Sequence, residues 1–557
     1  MRFISMVNVF RKGLGVLSGS GSCSASGSAA KFSFLTAKNT TLALLCCAFS
    51  GGALAQDTFA AFERSMATFD PGGKYLTKPV ERFVPGLSLN GTITHWSDYL
   101  VSGDDDIGFR ERDFRGLQMQ SVVEIAASYR FSPNLELTSI NHFLYDALYD
   151  VSNADGLYAD RVDESFRKYD SFDRIARELY VSYRTPKLDV VLGKQQIAWG
   201  KMDGQFIDAI NSMDFRESVQ LEAADYEMRR LPLWMANVTY YFDDVSLNVL
   251  WIPDFEANLN PGYGAPWSSP LLPPGDDTAR NNQALLDERS NPAGDRVLQT
   301  ERPDWTHLSD HQIAARLDFA NGALTWGLVY FYAWERDATP FITGRFSDGD
   351  GDHLIITPSH ERLHHFGATS DYAWVASGVP LIGTLPMVFR AEALYTKDAH
   401  FIDYKNRGAV RAGGSGDGVS EHDTLRAALA FEFAFPSKVT AIFQPSFYYT
   451  FDWREGLGVG FGGAIGDEWN FAPVLFVSRP VQSTRDRLLL SVTLTPYLSG
   501  SNKDYQGSKT RLVASYEISP FFNGSLIYTD YSGGDDDDLF GQYQKYDNIG
   551  IELQYEF

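Results

Sequence analysis

The residues that could do chemistry are few. Ten histidines are spread through 557 residues. His364-His365 fall on a predicted strand and His422 near another, and none has a serine and an acid beside it in a recognisable order. Nucleophilic hydrolysis needs a nucleophile, a base and a group that orients the base. The chain has no Gly-x-Ser-x-Gly elbow and no His-Glu-x-x-His zinc pair, so an enzyme is not expected. One acidic turn has the spacing of a cation site: in Asp348-Gly349-Asp350-Gly351-Asp352 the carboxylates alternate with glycines that permit a tight backbone. It lacks the distal bidentate glutamate of an EF-hand. It reads either as a solvated acidic loop or as a site for Ca2+ or for a cation bridging to lipopolysaccharide. No other cofactor is expected.

Ten further ionised residues stand on the polar side of segments whose other side is apolar. They are Glu124, Glu178, Arg316, Arg390, Glu392, Arg426, Glu432, Arg511, Glu517 and Glu552. Facing lipid near the midplane, an Arg or Lys would cost about 2–4 kcal/mol, so an interior, lumen-lining position is expected. There the charges form either a salt-bridged filling of the wall or, in part, a selectivity constriction.

The elements that must position them have a period of two. Ile549, Ile551, Leu553, Tyr555 and Phe557 share one face, and Gly550, Glu552, Gln554 and Glu556 the other. A soluble sandwich could not bury that carboxylate row, whereas a strand with lipid on one side and water on the other can hold it. Leu425, Ala427, Leu429, Phe431, Phe433 and Phe435 form a second such face. Val439, Ala441, Phe443, Pro445, Phe447 and Tyr449 form a third, and Leu324, Trp326, Leu328, Tyr330, Tyr332 and Trp334 a fourth. Tyr555 and the terminal Phe557 resemble the signal that outer-membrane barrels present to their assembly machinery.

Short links at 132–134, 185–187, 243–244, 321–322, 436–438 and 519–520, with two somewhat longer ones near 377–383 and 480–484, alternate with long polar segments. That is the pattern of tight periplasmic turns and longer outer loops. About 18 antiparallel strands are expected between residues 86 and 557, with 16 as the alternative if the segments near 360–376 and 469–479 are not strands. In residues 56–85, Phe59, Phe62, Met66 and Phe69 have helical spacing. They suggest a short helix, either on the periplasmic rim or plugging the lumen.

Composition agrees. There are 39 Phe, 28 Tyr and 11 Trp, yet mean hydropathy is negative, as expected when lipid-facing residues alternate with wet ones. The one long apolar run, Thr41 to Ala55, follows Lys31 and Lys38 and ends in Ala53-Leu54-Ala55. Residues 1–55 therefore read as a signal peptide. All three cysteines, Cys23, Cys46 and Cys47, lie within it, so no disulfide or thiolate site is expected in the exported part. The net charge of −23 argues against nucleic-acid binding. It suits a surface facing lipopolysaccharide or a cation-favouring pore.

The densest segment runs from Leu192-Gly193-Lys194-Gln195-Gln196-Ile197-Ala198-Trp199-Gly200 through Asp208-Ala209-Ile210-Asn211-Ser212-Met213-Asp214 to Arg229-Arg230-Leu231-Pro232. It resembles a family of large proteobacterial outer-membrane proteins of unknown function. Those proteins carry a Leu-Gly-Arg-Gln…Trp-Gly element followed by Ile-Asn-Pro-x-Asp. Here Lys194 stands for the arginine, and Ser212-Met213 stand where proline and its neighbour would be. The resemblance implies a porin-like barrel. It also implies work beside a periplasmic lipoprotein-like partner and an inner-membrane exporter of the resistance-nodulation-division kind. From the residues themselves, Trp199, Asn211 and Asp214 fix a loop, either folded into the pore or pinned to the rim, with the rim slightly favoured.

The expectation is thus an all-β transmembrane barrel in the outer membrane of a Gram-negative bacterium, in contact with lipid and lipopolysaccharide. Its expected role is a porin-like channel or transporter for small or hydrophobic solutes. The alternative is the outer-membrane component of an export or lipid-trafficking assembly.

Overall fold

Alternating hydrophobicity cannot be satisfied in water by a lone sheet, and in a bilayer an open sheet edge leaves backbone groups unpaired, so the strands must close on themselves. They do so in the computed structural model. It describes residues 77–101, 115–151, 167–169, 171–200, 202, 207–216, 226–259, 267, 295–349, 351–380, 382–460, 467–500, 504–534 and 538–557. The helix expected over 58–69 and the signal peptide lie outside these residues. Among the described residues, no helix is long and apolar enough to cross a membrane.

A short helix, α1 (Thr77–Phe83), leads into eighteen barrel strands. These are β1 (Leu87–Leu100), β2 (Gly116–Ser132), β3 (Leu135–Asp146), β4 (Ala176–Arg184), β5 (Leu188–Gln195) and β6 (Leu233–Tyr241). Then come β7 (Val245–Ile252), β8 (Gln312–Asn321), β9 (Leu324–Trp334), β10 (Arg362–Val379), β11 (Gly383–Asp403) and β12 (Val419–Ala434). β13 is in two pieces, Thr440–Gln444 and Ser446–Thr450, and so is β14, Trp469–Phe471 and Val474–Pro480. β15 (Leu488–Ser499), β16 (Asp504–Ser519), β17 (Phe522–Ser532) and β18 (Asn548–Glu556) complete the wall.

Each strand pairs antiparallel with its sequence neighbours. β1 pairs with β18, from Thr92↔Glu556 to Leu100↔Asn548, which closes the barrel. Beyond that register, Gly91 and Phe557 exchange two backbone hydrogen bonds of 2.9 Å. A Cβ at residue 91 would lie 2.1 Å from the Phe557 ring, so glycine there makes room for that ring. The segments expected to decide between 16 and 18 strands are both present, as β10 and β14.

One expected feature is altered. The face from Val439 to Tyr449 is not continuous, because β13 breaks at Pro445 and its neighbour β14 breaks at Ala472-Pro473. Proline has no N–H to give the ladder.

The outward face is apolar. Ile313, Trp326, Leu328, Phe366, Trp374, Leu429, Phe443, Leu475, Leu489, Leu526, Ile549, Ile551 and Leu553 are all exposed. Their register partners across the ladders share that face. A band this large and continuous is not left to water, and lipid covers it: the protein spans the outer membrane of a Gram-negative cell. On the side of the long connections, Thr339–Ser347 and Asp352–Ser359 form a hairpin joined in parallel by Arg296–Val297. A second helix, α2 (Tyr404–Arg411), is capped by Asp403, whose carboxylate accepts from the Asn406 N–H at 3.0 Å.

Candidate functional site

At the end of β5 the chain turns away from the wall. Gly193 has φ +135°, and a Cβ there would lie 2.2 Å from the Leu179 carbonyl oxygen, so only glycine fits. Lys194 is buried and donates its Nζ to the carbonyl oxygen and to Oδ1 of Asp173, both at 2.6 Å. Gln195 accepts from Asn237 Nδ2 at 3.2 Å.

From there the loop folds onto the inside of the barrel. Asn211 closes its base: its Oδ1 accepts from the Ile197 N–H at 3.2 Å, and its Nδ2 donates to the Ile197 carbonyl. Asp208 Oδ1 accepts from the N–H groups of Trp199 (3.1 Å) and Gly200 (2.9 Å), and its Oδ2 pairs with Arg230 at 2.8 Å. The Trp199 indole donates to Asn248 Oδ1 at 3.1 Å and lies 5.1 Å from the Phe331 ring. Arg316 of β8 donates to the Trp199 carbonyl at 2.5 Å.

Ile197, Trp199, Ile207 and Ile210 are packed with Leu233, Met235, Leu250, Ile252, Ala314, Val329, Phe331, Ala333 and Leu394. Within β7, Leu250 and Ile252 alternate with the exposed Val249 and Trp251, so the packed face is the interior. The loop is therefore held inside the barrel, not pinned to its rim as slightly favoured above. The deciding feature is an apolar patch on an inner wall that would otherwise be expected to be polar.

The same loop reaches the far wall. Met202 packs on Ala428 and Ala430 of β12, with Tyr448 beside them. Arg336 holds the near side, donating to the Ala209 carbonyl at 3.3 Å and to Gln312 Oε1 at 3.1 Å. Burial pushes its guanidinium down to about 9. Further along, Asp214 and Arg216 form a buried pair through Nε (2.8 Å) and Nη2 (2.5 Å). Burial pushes the Asp214 carboxyl up, but the Arg216 charge and hydrogen bonds, with Arg229 nearby, bring it down to about 2. Phe215 N–H donates to the Leu259 carbonyl, and Met213 N–H to Asn258 Oδ1, which ties this loop to the one after β7. In the connection after β7, Trp267 packs with Leu100, Leu117, Tyr497, Tyr531, Phe540 and Tyr543, residues of the opposite side of the barrel.

The ten charged candidates all stand on the inward parity of their strands. Glu124 pairs with His142 at 2.6 Å. Glu178 on β4 is buried. Arg316 lies 2.8 Å from Asp318. Arg390 reaches Glu432 at 2.9 Å and Asp371 at 3.6 Å. Glu392 is buried, and Arg426 shares a face with the buried Ala428 and Ala430. Arg511 is opposite the buried Thr529, Glu517 opposite Asn523, and Glu552 opposite Ser525. On the periplasmic side of the loop, Ser246, Arg316, Asp318, Thr325 and Thr369 line a cavity of ≈ 720 Å³. At the outer hairpin, Asp348 accepts from His353 at 2.8 Å and Asp352 from the Ser347 hydroxyl at 2.5 Å. Asp350 lies outside the described residues, and among the described residues no group of three or more ligands could hold a metal ion. Tyr555 and Phe557 stack at 6.0 Å beside the closure.

Sequence reasoning did not single out Asp208, Asn248, Phe331, Met202 or Trp267. Phe331 and Asn248 carried a signal, since both occupy the inward parity of strands whose outward residues were legible. Met202 and Trp267 carried none.

Among solved structures, OpdK of Pseudomonas aeruginosa aligns over 85% of this chain and 98% of its own, with 9% identity and a TM-score of 0.45. OccAB3 of Acinetobacter baumannii aligns over 85% and 100%, with 6% identity and a TM-score of 0.48. A BenF-like porin from Pseudomonas fluorescens Pf-5 aligns over 85% and 99%, with 8% identity and a TM-score of 0.48. No curated protein matches. A family model described as "Protein of unknown function (DUF1302)" matches residues 102–557.

Proposed function

We propose that this chain, which belongs to the DUF1302 family of proteins of unknown function, is an outer-membrane channel that admits small polar or amphipathic solutes past a fixed, inward-folded loop. The observation that carries this reading is the anchoring of Trp199 on the inner wall, by Phe331 at 5.1 Å and by Asn248 at 3.1 Å. A barrel of eighteen strands is wide enough for a water-filled lumen, and a loop fixed across it narrows that lumen without sealing it. The half-buried charges Arg390, Glu432 and Asp371 on the uncovered wall give the remaining path ion-pairing groups of both signs.

The test is single-channel recording of the purified protein in a planar bilayer, with selectivity read from reversal potentials. Stable open steps with a cation preference are expected. Silence from a barrel shown to be folded by its heat-shifted gel mobility would overturn the reading.

A further inference from the structure

Three adjacent strands carry a proline at one level of the wall. Leu429 N–H donates to the Pro445 carbonyl at 3.1 Å. The registers Gln444↔Val474 and Phe447↔Phe471 put Pro445 opposite Pro473. The registers Leu475↔Leu494 and Phe471↔Leu498 put Pro473 opposite Pro496.

The direction of the ladder decides what these prolines remove. Ala472 N–H points to β13, donating to the Ser446 carbonyl at 2.9 Å, and Val481 N–H points to β15, donating to Leu488 at 2.8 Å. Odd-numbered residues of β14 therefore bond to β15. Pro473 and Pro496 occupy the position where an antiparallel pair exchanges both N–H···O bonds, and neither residue has an N–H. The flanking bonding positions, Phe471/Leu498 and Leu475/Leu494, are four residues apart. That is about 13 Å of strand, where about 7 Å is regular. On the other side of β13, the return bond from Pro445 to Leu429 is also impossible. Missing ladder bonds are costly where lipid offers no replacement partner, and proline belongs at edges or bulges rather than in a closed wall.

At the level of the prolines neither face of this seam carries a charge, and Asn470, Thr495 and Ser499 stand inside beside Ala472 and Tyr497. Inside, Ala472 packs against the cluster of Tyr497 and Trp267, and Tyr448 packs beside Met202. The loop after β7 thus meets the seam through Trp267, and the loop after β5 meets the neighbouring β12 and β13 through Met202. Outside, Leu475 of β14 and Leu489 and Leu494 of β15 are exposed to lipid.

We propose that the β14–β15 seam is a lateral port, through which an uncharged apolar molecule passes between the lumen and the outer leaflet. The proposal rests on the channel reading for its lumen and goes beyond it in route and in substrate class. Uncharged side chains line both approaches, and those on the lipid side are apolar. The wall between them lacks the bonded pair at Pro473/Pro496, so separating the strands at that level breaks fewer interactions than at a regular position. An ionised solute, by contrast, would meet no charged partner at the seam and would stay in the lumen.

The probe is N-phenyl-1-naphthylamine, whose fluorescence rises when it enters the membrane of intact Gram-negative cells. Two alterations close the seam. Pro473→Val with Pro496→Val restores both donors. Val474→Cys with Thr495→Cys, a facing pair at a non-bonding position, places Cα atoms about 4.5 Å apart, within disulfide range. All native cysteines lie in residues 1–55, so the pair has no competitor in the barrel. Cells making the parent protein should take up dye faster than cells without it. The double valine variant and the oxidised cysteine pair should return uptake to the control rate, and reductant should restore it for the cysteine pair. Single-channel ion current should be unchanged in both. Heat-shifted mobility verifies that each variant is folded, and the reductant arm compares one folded molecule with itself. Ion conduction with dye uptake indifferent to both alterations overturns the port alone. A parent protein that passes neither ions nor dye sinks the channel reading and the port with it.

Discussion

The inner wall of this barrel is two surfaces. Across β6 to β9 the inward residues are Leu233, Met235, Leu250, Ile252, Ala314, Val329, Phe331 and Ala333, all buried under the loop that follows β5. Across β10 to β12 they include the half-buried Asp371, Arg390 and Glu432, with Arg390 among carboxylates at 2.9 and 3.6 Å, beside a smaller patch, Leu394, Ala428 and Ala430, that the loop also covers. Both arcs turn an apolar face outward. What differs is what each inner face meets. Where the chain covers its own wall, packing favours apolar side chains. Where water remains, ionised groups stay hydrated and pair across strands. An apolar inward row in a barrel is therefore a marker of self-coverage, and a charged inward row marks the open path.

The comparison is most directly broken at Trp199. Truncating a large buried aromatic costs about 3–5 kcal/mol. Trp199→Ala also removes the indole hydrogen bond to Asn248. The loop should leave the wall, and single-channel conductance should rise severalfold with broader current noise. The same truncation at an outward aromatic, Trp326→Ala, should leave conductance unchanged. Equal effects at the two sites would mean that the covered arc is not held by this packing.

The second prediction uses acid. Asp214 is held at about 2 in the folded protein, against an ordinary value of 3.8. Its folded value is depressed, so the stability it contributes is present above the unfolded value and is lost as pH falls toward the folded one. The shift is worth on the order of 2 kcal/mol. Current noise should grow from about pH 4 to 2, as the Arg216 pair is neutralised. Asp214→Asn should show that noise at neutral pH. A variant with quiet current at neutral pH would detach Asp214 from the ordering of the loop.

Much of this was legible in the residues. The wall was, because period-two alternation over Ile549 to Phe557 or Leu324 to Trp334 has one physical solution in a bilayer. The short-turn and long-loop rhythm followed from turn residues such as Asn321-Gly322. The segment from Gly193 to Asp214 was visible as an unusual cluster, but its side of the wall was not. That depends on Phe331 and Leu250, residues more than 30 positions downstream, and no local pattern ties them to Trp199. The proline row was invisible for a similar reason. Pro445, Pro473 and Pro496 are unremarkable singly, and only the registers of three strands align them.

The smallest expected effect sharpens the other arc. Glu432 accepts from Arg390, and both are half-buried on the uncovered wall. Two unit charges 4 Å apart exchange only about 1 kcal/mol in water. Removing one should therefore move a permeability ratio by no more than about fivefold. Glu432→Gln should lower cation preference by an amount in that range and leave conductance nearly unchanged. The shift should shrink as salt is raised from about 0.1 M to 1 M, because the screening length falls from about 10 Å to 3 Å. A reversal potential that does not move at low salt would place Glu432 away from the conducting path. The charged arc would then be a filling of the wall, and the path would have to run elsewhere along the lumen.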